Sequence, residues 1–252
     1  MTRLKIQICV LASVLLGSTI AVAENDGAPS GFIKVSDGGQ ASAGLKEALA
    51  NAAEGAVKLT GHPGGYFDNP AIKILLPKSF QPMEKGLRAI GYGPQLDKFI
   101  QSMNSAAEAA APKAEPIFKN AITDMSFSDA QHIVTAGGHS ATDYFKQKTS
   151  GQLTDAFTPV VEKEMSQYNV TQQYNDLIAK YSANPLSAGG GLGGALGGLV
   201  SKSAPTLDIN KYVVHKSLDG LFLVMGQEEE KIRTNPAAQV TPLLKSLFGG
   251  GR

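Results

Sequence analysis

Apolar side chains recur at three- and four-residue intervals along most of the chain, and that period predicts helices. Leu45, Leu49, Ala52, Ala56 and Leu59 form one such stripe over about Ala43 to Leu59. The run Gly61-His62-Pro63-Gly64-Gly65 ends it, since proline and paired glycines break helices. Asn69-Pro70 reads as a restart, with Asn as cap and Pro in the first turn, and that piece must end before Pro77. Phe80, Met83, Leu87 and Ile90 mark a helix from about Ser79 to Ile90. Between Leu96 and Met125 lie two stripes, one through Phe99, Met103 and Ala110, the other through Phe118, Ile122 and Met125. Pro112 and Pro116 fall between them and predict two helices or one kinked helix. The alanine-rich run from Ala106 to Ala111 leaves little bulk, so another helix can approach closely there.

Ser126-Phe127-Ser128-Asp129 and Ser140-Ala141-Thr142-Asp143 both have the form of a capping box, each expected to open a short helix. Later helices are marked by Leu153, Phe157, Val161 and Met165, then by Tyr174, Leu177, Ile178 and Tyr181. The last pair is predicted over about Asp208 to Arg233 and Pro236 to Phe248. Strand-like alternation is confined to Ile72–Leu76. The predicted fold is all-α: a single multi-helix domain over 42–249, interrupted by a glycine-rich insertion at 186–206 before the last two helices. Leu186 to Val200 holds seven glycines, with Gly190, Gly194 and Gly198 four apart as in a glycine zipper. Each interior glycine costs roughly 1 kcal/mol of helix stability, so a flexible loop is the expected form.

The start of the chain changes the picture. Arg3 and Lys5 precede an apolar run from Ile6 to Ile20, and Ala21-Val22-Ala23 supplies the small residues a signal peptidase reads. Residues 1–23 are therefore expected to be a cleavable signal peptide, and 24–41, rich in Gly, Ser and Asp, a flexible lead-in. Cys9 is the one cysteine, so the mature chain is expected to be cysteine-free, without a lipid anchor on that residue, and periplasmic. Its stability must then come from a hydrophobic core. Without Arg3 and Lys5 the 23 basic residues become 21, against 22 acidic. That balance, with no basic stripe interleaved with aromatics, argues against nucleic acid as a partner. No later apolar run is long enough to span a membrane.

Reactive constellations are incomplete. Lys202 follows Gly198 by four residues rather than one, so the glycine-rich segment is not a phosphate loop. Asp129 and His132 have the i, i+3 spacing of a helical metal pair, but a di-metal site needs a second such pair, and Asp129 is already explained as a cap. No Gly-x-Ser-x-Gly elbow occurs. The sequence thus calls for no catalytic residue, metal or cofactor. Polar positions worth testing remain. Glu229 falls on the apolar stripe Leu218, Phe222, Met225 and Ile232, with Arg233 four residues on and well placed to pair with it. A helix end leaving the core, with Glu229 solvated, is the favoured expectation; a buried pair is the alternative. Tyr66-Phe67, inside the glycine-rich turn, is expected to plug the nearest core rather than act as a lid or partner contact.

Much of the mature chain resembles the bacterial family known as domain of unknown function 4197. The resemblance is carried by Ala43-Gly44-Leu45-Lys46-Glu47-Ala48-Leu49, by Asn69-Pro70-Ala71-Ile72-Lys73-Ile74 with Pro77, and by Ser102-Met103-Asn104 with Ala106-Ala107-Glu108. Pro116-Ile117-Phe118, Leu218-Asp219-Gly220-Leu221-Phe222 and Ile232-Arg233-Thr234-Asn235-Pro236 add to it. It implies a helical, exported envelope protein with no assigned activity. Ser105 and Gln147 stand where relatives look to carry Arg, and the glycine-rich segment looks like an insertion. The leading expectation is a non-catalytic periplasmic binding or interaction module whose partner is an unknown envelope protein. A carrier of an apolar or amphipathic small molecule comes second. An enzyme comes third, and would need Asn104, Glu108, Glu229 and Arg233 to converge on a cleft.

Overall fold

The computed structural model describes residues 38–182 and 207–235. The expected signal peptide, the lead-in to 37, the glycine-rich segment 186–206 and the helix expected over Pro236–Phe248 lie outside them. The elements are α1 (Gly38–Thr60), α2 (Gln81–Ala89), α3 (Gly93–Ala110), α4 (Ala114–Thr123), α5 (Phe127–Ala136), α6 (Ser140–Gln167), α7 (Val170–Ser182) and α8 (Ile209–Thr234). Single 3-10 turns sit at Lys78–Phe80 and Ala111–Lys113. Among the described residues there is no strand, and the all-α expectation holds.

The long helix α8 packs on both α1 and α6, and α3 lies against α6 and α8. Phe99, Phe118, Phe145, Phe157, Met103 and Leu153 fill the space between them, each under 2% exposed. Phe118 meets the edge of Phe145 with ring centres 5.1 Å apart and lies 6.2 Å from Phe222. The alanine-rich stretch does what its small side chains allow. Ala106, Ala107, Ala110, Ala111 and Ala114 are fully buried. A Cβ placed on Gly61, just past α1, would come within 3.1 Å of the Pro112 ring.

Two expectations about boundaries are corrected. First, α6 is one helix of 28 residues rather than a short helix followed by another, and it runs through Gly151 and Pro159. Ala141, Phe145, Thr149, Leu153, Phe157, Val161 and Met165 recur every fourth residue, and all are buried. Such an i, i+4 row is a packing ridge. Interior proline costs about 3 kcal/mol, but each large apolar side chain buried along the ridge returns about 1.5–3 kcal/mol. Packing wins. Second, Asn69-Pro70 does not restart a helix. Asn69 accepts the N–H groups of Ile72 and Lys73 for a single turn, and Lys73–Pro77 then runs extended. Here the period-2 pattern governs: Ile72, Ile74 and Leu76 are buried while Leu75 is 52% exposed.

The first capping box is present in full. Ser126 Oγ accepts the Asp129 N–H at 3.1 Å, and the Asp129 carboxylate accepts the Ser126 N–H at 3.1 Å and its hydroxyl at 2.7 Å. Those bonds hold the Asp129 carboxyl below its ordinary pKa. The second box does not form. Helix α6 begins at Ser140 itself, after His139, with no side-chain cap from its own segment. What caps it instead is the main feature of the site.

Candidate functional site

At the start of a helix the first N–H groups have no partner within the helix and carry a partial positive charge. In α6 those of Ala141 and Thr142 are taken by Glu229 of α8, at 3.1 and 2.9 Å, and the Thr142 hydroxyl donates to the same carboxylate at 2.7 Å. Arg233 closes the arrangement from one turn further along α8, with Nε 3.0 Å and Nη2 2.9 Å from Glu229 Oε1. Its Nη2 also reaches the Ile133 carbonyl at 3.2 Å and Ser140 Oγ at 3.1 Å. Glu229 is 5% exposed, which overturns the expectation of a solvated helix end. The physical reason is that α8 does not leave the core at Glu228. It continues to Thr234 beside α1 and the α5–α6 turn, and Ile232 is only 7% exposed. The crevice beside this pair, lined by Leu45, Leu49, Ala141 and Ile232, holds about 10 Å³. That is space for one water at most.

A second set of flagged residues converges elsewhere. Asn104 and Glu108 lie one turn apart on α3, buried to 0% and 8% exposure, and both grip the irregular segment between α1 and α2. Asn104 Oδ1 accepts the Ile74 N–H at 2.8 Å, while its Nδ2 donates to the Ile74 and Ile100 carbonyls at 2.9 and 2.8 Å. Glu108 Oε1 accepts the successive N–H groups of Tyr66 and Phe67, each at 3.0 Å. Gly64, at φ +86°, permits the tight turn that leads into them. Tyr66 is fully buried, and its hydroxyl donates to the Ser217 carbonyl of α8 at 2.6 Å. Burial pushes the Tyr66 phenol far above its ordinary pKa, and the nearby Glu108 charge adds to that. The phenol is therefore a neutral donor. As expected, Tyr66 is a core plug; Phe67 is part-buried against the same core, with Lys73 Nζ 3.6 Å from its ring centre.

Asn104 and Glu108 thus hold the segment between α1 and α2, whereas Glu229 and Arg233 hold the start of α6. Sequence reasoning also missed three partners. Thr142 and Ser140 were assigned to a local cap, and Gly220 was marked only as part of a family string. A Cβ on Gly220 would lie 2.7 Å from Tyr66 Cε1 and 3.1 Å from Ile72 Cβ, so only glycine lets Tyr66 seat. Among the described residues no three His, Cys, Asp or Glu side chains cluster as metal ligands, and no helix is long and apolar enough to cross a membrane.

A cleft of about 470 Å³, the size of a small-molecule site, lies between the start of α3 and α7. Buried Leu177 and part-buried Tyr92 line its apolar side, and Lys98 and Lys180 stand on opposite walls.

These features define an all-helical domain whose flagged polar side chains tie one chain segment to another. The chain belongs to the family described as "Protein of unknown function (DUF4197)", whose family model matches residues 36–249. No curated protein and no solved structure matches it.

Proposed function

We propose that this chain is a non-catalytic binding or interaction module, exported to the bacterial periplasm. One observation carries the non-catalytic part. Asn104, Glu108 and Glu229 are buried, and a side-chain oxygen of each accepts at least one backbone N–H of a distant segment. A carboxylate that caps a helix or closes a loop in this way is a structural fastener with little freedom to take up a substrate proton. Export is read from residues 1–23, with the positive start, apolar run and Ala-Val-Ala ending.

The carrier reading divides. An enclosed pocket lined by Ala, Leu, Phe and Met would favour it, but those side chains pack against one another. Space of ligand size lies instead at the surface, between α3 and α7. The deciding experiment is native mass spectrometry of the protein purified from periplasm. A mature N-terminus at Glu24 and a stoichiometric bound partner or ligand are expected. Turnover of a substrate that Glu229→Gln abolishes at unchanged melting temperature would refute the reading.

A further inference from the structure

We propose that the cleft between α3 and α7 binds a small anionic amphiphile, a molecule with one acidic head and an apolar body. The proposal rests on the binding-module reading and names a ligand class for it.

Shape comes first. About 470 Å³ lies within the range of roughly 300–1,000 Å³ typical of small-molecule sites, and the cleft has the apolar floor such sites use. Tyr174 supports that floor, with its ring 6.1 Å from both Phe99 of α3 and Phe80 just before α2, and α7 packs on α2 and α3. Leu177, one turn on from Gln173, faces into the cleft, and Tyr92 contributes its ring from the other wall.

Charge gives the ligand its sign. Lys98 from α3 and Lys180 from α7 both line the cleft, and neither makes an ion pair with a described residue. The nearest acidic neighbour of Lys98 in sequence, Asp97, is engaged by Arg88 at 2.7 Å. Among the described lining residues Asp176 is the one carboxylate, against the two ammonium groups. Helix α3 also starts at Gly93 beside the cleft with no side-chain cap, which adds the partial positive charge of a helix N-terminus. An anionic head would sit between the lysines, and its apolar body would lie against Leu177 and Tyr92. A neutral apolar molecule would leave the ammonium groups unanswered, and a cation would be repelled.

Isothermal titration calorimetry with decanoate, kept below its micelle concentration, tests this on the full mature chain. Lys98, Lys180 and Asp176 are exposed, so changes there leave the core intact. Saturable one-to-one binding is expected. Lys98→Glu and Lys180→Glu should each weaken it about three- to tenfold, and Asp176→Asn should tighten it about two- to threefold. Lys58→Glu, on the exposed side of α1, should leave it unchanged, and decyltrimethylammonium should respond to the same variants in the opposite order. No saturable decanoate binding, or affinities within about twofold across the cleft variants, would overturn the proposal. If native mass spectrometry still finds a stoichiometric partner in that case, the cleft assignment falls while the module reading stands.

Discussion

Five hydrogen bonds converge on the two oxygens of Glu229: two from backbone N–H groups, one from a hydroxyl and two from a guanidinium. Burying a carboxylate without partners would be very costly, and here every part of that cost is offset locally. The helix start supplies positive character, and Arg233, whose side chain is 15% exposed, supplies the balancing charge. Removing one member leaves the others stranded. Glu229→Ala is therefore expected to lose about 3–5 kcal/mol in a denaturant melt, the range for a buried pair broken from one side. Arg233→Ala in the same background should recover part of that loss, a coupling of about 1 kcal/mol or more in a double-mutant cycle. A loss under about 1 kcal/mol with no coupling would mean that Glu229 is solvated in solution. The stripe containing Glu229 was legible in the sequence, and so was the Arg233 pairing. Its burial was not, because the decisive partner is the start of a helix 88 residues away.

At the level of elements, regular helices could be read and their connections could not. Where apolar spacing was dense, as in α1, α3 and the first half of α8, the predicted spans agree with the observed ones to within a few residues. The errors arose where distant contacts override local signals. Asn69-Pro70 carries a sound helix-start signal, yet the burial of Ile72, Ile74 and Leu76 along one side forces the chain to extend. Among the described residues no strand lies beside the extended segment; Asn104 meets both the N–H and the C=O of Ile74, and the Tyr212 hydroxyl donates to the Leu75 carbonyl at 2.7 Å. Asn104→Ala should accordingly leave a buried N–H and C=O unpaired, at about 1–3 kcal/mol each if nothing compensates. Native-state hydrogen exchange at Ile74 should quicken, and limited proteolysis should open the 61–77 segment first. Unchanged exchange at Ile74 would show that the clamp is dispensable. Helix α6 makes the converse point, since it contains Gly151 and Pro159, and a continuous ridge of buried side chains carries the helix through both.

Taken whole, the domain is organised around α8, which packs on α1, α3 and α6. Buried positions such as Val213, Ser217, Leu221 and Val224 lie beside the stripe read from the sequence, so α8 is covered on more than one side. Gly220 marks the tightest approach. Gly220→Ala would force a Cβ to 2.7 Å from the Tyr66 ring, and overpacking of this kind typically costs about 1–3 kcal/mol. Tyr66→Leu should lose stability alone by leaving a void, but should relieve Gly220→Ala when the two are combined. Additive losses in that pair would show that the ring and the glycine do not meet. The capping of α6 by α8 has a further consequence, for the order in which the protein can be completed. A chain emerging N-terminus first exposes the start of α6 long before Glu229 exists, and the Tyr66 hydroxyl must wait for a carbonyl 151 residues downstream. Synthesis alone cannot complete the fastening of the early segments; both contacts form only when the final described helix arrives.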